Sequence, residues 1–152
     1  MITRRKTLGQ GARLAALMAG AGLLPAAALA AWSKDAFDAK TLVETVRALG
    51  GNVPTPSADV SITGPDIAEN GAVVPVGAST SLPGVKRLAL LVEKNPNALA
   101  AVFDVSDAVD ANIATRVKMG QSSNVIALAM MADGRVLYAQ KEIKVTLGGC
   151  GG

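Results

Sequence analysis

Few side chains on this chain of 152 residues suit covalent chemistry, and one stands apart. Histidine is absent, and Cys150 is the only cysteine, set in Leu147-Gly148-Gly149-Cys150-Gly151-Gly152. A thiolate is a nucleophile and can form sulfur–sulfur bonds. Gly148, Gly149, Gly151 and Gly152 carry no side chain to screen that sulfur, and glycine admits almost any backbone angle. Residues 148–152 are therefore expected to act as a flexible tether that presents the thiol to another molecule. Burial is disfavoured, because glycines give a cysteine nothing to pack against. A prenylation box would need cysteine four residues from the end followed by aliphatic residues. A metal site would need further cysteine or histidine ligands. The sequence supplies neither, so no metal and no cofactor are expected.

The absence of histidine also removes the Ser-His-Asp triad, the usual general base and imidazole ligation of haem, and there is no Cys-x-x-Cys-His attachment site. Asp104, Asp107 and Asp110 fall between strand-like runs, where a carboxylate metal site or an acid–base pair is conceivable. Aspartate-rich connections are ordinary turn chemistry, and a solvated loop is the expectation there. No cation or helix start is evident beside Cys150 to lower its pKa, so activation is expected from a partner. The chain reads as something acted upon rather than as an enzyme.

Compartment follows from the other end of the sequence. Thr3-Arg4-Arg5-Lys6-Thr7-Leu8 opens a basic region without acids, followed by an apolar stretch from Leu14 to Leu24, then Pro25 and Ala28-Leu29-Ala30. This layout is that of a bacterial signal peptide, residues 1–30, cleaved after Ala30. The apolar stretch is short and glycine-rich for a membrane span, and the Arg4-Arg5 pair resembles the twin-arginine class, with Thr7 at its usual aromatic position. The periplasm is the expected location, with no membrane attachment after cleavage. The whole chain has a net charge of +3, but Arg4, Arg5, Lys6 and Arg13 belong to the leader; eleven basic against twelve acidic residues then remain, about −1. Such a balance offers no footprint for nucleic acid, so partners are expected to be proteins or small anions.

The remaining length, about 120 residues, suits one domain with its own core, residues 31–147. Between Lys34 and Leu49, Phe37, Leu42, Val46 and Leu49 recur near helical spacing, and Gly50-Gly51 is a stop signal; one amphipathic helix is expected. Beyond Val53 come seven short runs rich in valine, isoleucine, leucine and alanine: Asp59 to Thr63, Ala72 to Gly77, Arg87 to Glu93, Leu99 to Asp104, Ile113 to Met119, Asn124 to Met131 and Val136 to Val145. Gly64-Pro65, Glu69-Asn70-Gly71, Pro83-Gly84, Asn95-Pro96-Asn97 and Asp133-Gly134 punctuate them, the last as a hairpin turn. Polar and apolar residues alternate in Lys141-Glu142-Ile143-Lys144-Val145, as in a strand with one wet face. The expected fold is mainly β, an immunoglobulin-like antiparallel β-sandwich preceded by one N-terminal helix, without a cysteine pair joining the sheets.

Taken together, the Gly-Gly-Cys-Gly-Gly segment, the twin-arginine-like leader, the stretch from Pro65 to Pro75 and Asn95-Pro96 resemble the SoxY family, the sulfur-carrier subunits of bacterial thiosulfate oxidation. The resemblance spans essentially all of the chain after the leader. It implies a non-catalytic carrier that forms a heterodimer with a SoxZ-like subunit and holds its substrate covalently on Cys150. It further implies transient contacts with the haem enzyme SoxXA, which joins thiosulfate to the cysteine, with SoxB, which hydrolyses off sulfate, and with a sulfane dehydrogenase. Ile67-Ala68-Glu69-Asn70-Gly71 reads as family texture without chemistry of its own. Two other functions remain open on the residues alone: a ubiquitin-like sulfur carrier acting through the Gly152 carboxylate, and a structural sandwich module that uses Cys150 for an intermolecular disulfide.

Overall fold

Segments rich in branched apolar residues and separated by turn formers can bury themselves only by stacking as sheets, and the computed structural model shows two of them. It describes residues 33–146. Two short helices, α1 (Lys34–Asp38) and α2 (Leu42–Ala48), precede nine strands: β1 (Pro54–Pro56), β2 (Val60–Thr63), β3 (Ile67–Ala68), β4 (Val74–Thr80), β5 (Val85–Val92), β6 (Leu99–Asp104), β7 (Asn112–Val117), β8 (Ser123–Met131) and β9 (Val136–Val145). The larger sheet has the order β1-β9-β8-β5-β6, with β3 also pairing to β9; the smaller is β2-β4-β7. All seven expected runs are strands. The pairing is antiparallel except at one edge, where β1 and β3 both run parallel to β9, which corrects the purely antiparallel expectation.

The single helix expected from Lys34 to Leu49 is two helices. Ala39 is extended, at φ −62° and ψ 143°, and is tied to a distant turn, its carbonyl accepting from Ala98 N at 3.1 Å. Thr41 then starts α2 with a capping box: its hydroxyl accepts from Glu44 N, and the Glu44 carboxylate accepts from Thr41 N, each at 3.2 Å. Those reciprocal bonds satisfy amide groups that a helix start leaves without partners, so a new helix at Leu42 is favoured over one continuous helix. The stop at Gly50-Gly51 is as expected. Gly50 takes φ +79°, Gly50 N donates to Arg47 O at 3.0 Å, and Gly51 N donates to Val46 O at 2.9 Å, a Schellman ending.

Alternation along the strands divides the apolar residues between two cores. Leu88, Leu90, Val92, Val125, Ala127 and Ile143 point from the larger sheet toward Val60, Val74, Val76 and Val117 of the smaller. Ala89, Leu91, Ile126, Leu128 and Val136 point the other way and are covered by Ala36 and Val46 of the helices. At Asp133-Gly134 the expected hairpin turn joins β8 to β9, with Gly134 at φ +87°. β9 runs from the Asp133-Gly134 turn to the end of the sandwich that holds the 95–98 turn and the start of β8.

Candidate functional site

Cys150, Gly148, Gly149, Gly151 and Gly152 lie outside the described residues, as do Arg4 and Arg5. What the structure shows is the place from which the cysteine segment departs. Thr146 is the last described residue, and Cys150 is the fourth residue after it, so the two Cα atoms are at most about 14 Å apart. The surface that surrounds Thr146 is thus the surface from which the cysteine segment departs.

Two different elements hold that departure point. On one flank β3 runs parallel to the end of β9: Lys144 N donates to Asp66 O at 3.0 Å, and Thr146 N donates to Ala68 O at 3.1 Å. The Thr146 hydroxyl adds a bond to Glu69 O at 3.1 Å. On the other flank β8 begins at Ser123, which faces Ile143, so the ladder has no residue of β8 left for Val145. Ser122 fills that vacancy with a side chain, its Oγ accepting from Val145 N at 2.9 Å. Successive residues of a strand direct their amides to alternate sides, so both flanks are needed to fasten three consecutive residues.

The clamping segments are themselves fastened. Met119 is fully buried, and its N–H donates to Gly71 O at 2.7 Å. Asn95 reaches across to the same loop, with Nδ2 donating to Lys118 O at 2.7 Å and Oδ1 accepting from Gly120 N at 3.2 Å. Asn70 Oδ1 accepts from Ala72 N at 2.8 Å and folds the 69–72 turn on itself. Lys141 points toward the smaller sheet, where Nζ donates to Gly64 O at 2.6 Å and lies 2.9 Å from the Asp66 carboxylate. The hydrogen bond from Lys141 to the Asp66 carboxylate, and then the lysine's charge, hold Asp66 below the ordinary carboxylate range. Ile67 and Val73, both more than half exposed, flank this end of the sandwich.

Ile67 to Gly71 therefore has a structural task that its sequence does not advertise. A two-residue strand is too short for any periodicity to reveal, and the parallel pairing to β9 depends on a contact 77 residues away. Ser122 and Asn95 were likewise invisible as positioning groups. Their only sequence signal is that hydroxyl and amide side chains favour bonds to nearby backbone at element ends.

The acidic residues lie at the other end of the sandwich. Asp104 pairs with Arg87 Nε at 2.8 Å and Asp107 with Lys86 at 3.8 Å. Asp107 and Asp110 line a cleft of about 590 Å³ with Thr80, Ser106 and Asn112. Among the described residues no three Cys, Asp or Glu side chains are grouped to hold a metal, and no helix is long and apolar enough to cross a membrane.

Comparison with known proteins agrees with the geometry. Residues 46–150 match the family model described as sulfur oxidation protein SoxY. The structure of the sulfur carrier protein SoxY from Chlorobium limicola f thiosulfatophilum is similar at a TM-score of 0.60 and 30% identity, covering 67% of this chain and 92% of that one. A superoxide reductase (neelaredoxin) from Ignicoccus hospitalis is similar at a TM-score of 0.51 and 16% identity, covering 57% of this chain and 79% of that one, a likeness of fold alone. A search of curated proteins gives no match.

Proposed function

The chain belongs to the SoxY family of sulfur carriers, and from that premise we propose that Cys150 is the atom-bearing site of a periplasmic carrier for thiosulfate-derived sulfur. The supporting observation is that the family match runs to residue 150, so the chain's only thiol falls inside the matched span. The fixed strand end at Thr146, four residues before it, is the setting such a carrier needs. A covalently held substrate visits successive enzymes without dissociating, which keeps its effective concentration high at each.

The chemistry on the sulfur is simple to balance. In loading, the Cys150 thiol loses its proton and two electrons leave to the electron acceptor of a haem enzyme of the SoxXA kind, while a bond forms to the outer sulfur of thiosulfate. The product is an S-thiosulfonate. Water then attacks the terminal sulfur in a SoxB-like hydrolase, the sulfur–sulfur bond to it breaks, and sulfate and two protons leave a persulfide anion on Cys150. A sulfane dehydrogenase acts on what remains. The carrier supplies no acid, base or metal to these steps; it positions a thiol whose glycine neighbours Gly148, Gly149, Gly151 and Gly152 add no bulk beside the sulfur. A SoxZ-like subunit completes a heterodimer, and Arg4 and Arg5 direct export.

Intact-mass and fragment mass spectrometry of the protein after incubation with thiosulfate and the loading enzyme tests this reading. An added mass of the S-thiosulfonate that maps to Cys150 is expected. Sulfur exchanged into the Gly152 carboxylate instead would replace it with the ubiquitin-like alternative.

A further inference from the structure

Strand ends in water fray, and the last turn of backbone before an exposed segment is ordinarily the least protected part of a domain. Here three consecutive residues at the end of β9 are fastened from both sides by groups that belong to no neighbouring long strand. Asp66 O and Ala68 O take the amides of Lys144 and Thr146, Glu69 O takes the Thr146 hydroxyl, and Ser122 Oγ takes the amide of Val145. Burial alone does not supply these bonds, although Val145 packs partly buried against the core beside Ala68. Ile143 is the last fully buried residue of β9, whereas Lys144 is exposed and Val145 and Thr146 are not fully buried.

We propose that Ser122 and Thr146 are positioning residues that fix the pivot of the cysteine segment, so that the thiol is presented from one point on the surface rather than from a frayed strand. This inference rests on the carrier reading of Cys150. The geometry sets its consequence. With Thr146 held, Cys150 is the fourth residue beyond the pivot, a reach of about 14 Å; with 144–146 released, it is the seventh beyond Ile143 and the reach grows to about 25 Å. On the carrier reading, in which the segment reaches into an enzyme's channel, lengthening it from four residues to seven enlarges the volume open to the thiol about 2.3-fold, the 3/2 power of the length ratio, and lowers its local concentration by the same factor. The additional residues must also be ordered each time the segment enters a channel, which adds to that loss. Docking of the domain surface itself is not affected.

The test compares Ser122→Ala, Thr146→Val and the double variant with wild type and with the conservative Ser122→Thr, all as full-length exported protein. The loading enzyme is given thiosulfate and increasing carrier, and the adduct on Cys150 is read by intact mass. Each single variant is expected to lower the loading kcat about two- to tenfold, the range set by one net hydrogen bond, with KM unchanged. Ser122→Thr should retain most of the wild-type rate. Amide exchange at Val145 and Thr146 should accelerate in the deficient variants by more than at core amides, with a fall in thermal midpoint no larger than one hydrogen bond gives, while the rate of Cys150 alkylation by iodoacetamide, a reagent small enough to need no channel, stays as in wild type. Wild-type loading by the double variant would overturn the proposal, as would unchanged exchange at Val145 and Thr146. A loss of kcat accompanied by equal acceleration of exchange at core amides would reduce Ser122 and Thr146 to fold stability and overturn it too. If wild-type protein gains no mass on Cys150, the carrier reading itself fails, a result distinct from each of these.

Discussion

Asn95 offers a perturbation whose size can be worked out from the geometry. Its side chain makes two bonds to one loop, Nδ2 to Lys118 O at 2.7 Å and Oδ1 from Gly120 N at 3.2 Å, and that loop carries Ser122. A net hydrogen bond contributes about 0.5 to 1.5 kcal/mol, and Asn95 is only half-buried, so water replaces part of what is lost. Asn95→Ala should therefore cost about 1 to 2 kcal/mol. For a domain of this size that is a fall in Tm of roughly 4 to 10 °C. Asn95→Asp separates the two halves, since a carboxylate still accepts from Gly120 N but cannot donate to Lys118 O. Urea unfolding followed by circular dichroism gives the stability, and amide exchange at Gly120 and Val145 gives the local effect. The reasoning predicts a smaller loss for Asn95→Asp than for Asn95→Ala, with both amides less protected in the alanine variant. A midpoint for Asn95→Ala equal to that of wild type would refute it.

Two further outcomes are expected. Gly149→Val or Gly151→Val adds a branched side chain beside the sulfur and alters no residue of either core, so loading of Cys150 should fall at least tenfold while Tm is unchanged; normal turnover would show that no narrow channel admits the segment. The lowered pKa of Asp66 means that its charged form is favoured in the folded state, so its contribution is present above about pH 4 and is lost as the pH falls through its folded value. A difference in urea midpoint between wild type and Asp66→Asn should therefore be seen at pH 6 and shrink as the pH falls below about 4; a difference independent of pH would contradict the Lys141 pairing.

The strands were readable because each carries its own evidence. Arg87 to Glu93 and Asn124 to Met131 are continuous apolar runs bounded by turn formers, and they became the central strands β5 and β8, covered on both faces. Gly50 and Gly134 were legible for the same local reason, since both adopt the positive φ that their turns require. The break at Ala39 to Thr41 was not read, although Thr41-x-x-Glu44 is a capping pattern, because the apolar stripe of Phe37, Leu42, Val46 and Leu49 stays in phase across it. What escaped at the site depends on distance in sequence. Asp66 to Glu69 gains its role from residues 144–146, and Ser122 gains its role only because β8 starts two residues short of the position that would face Val145. Cys150, by contrast, was identified from composition, as the lone thiol among glycines.

The central claim is that Cys150 is the sole point of covalent attachment, and one variant tests it most directly. Cys150→Ser keeps nearly the same size but is a far weaker nucleophile and cannot form a sulfur–sulfur bond. In a reconstituted system, the variant should fold and pair with its partner as wild type does, yet thiosulfate-dependent electron release should fall to background. Substantial thiosulfate oxidation by Cys150→Ser would contradict the account, because the chain has no other thiol to take the sulfur.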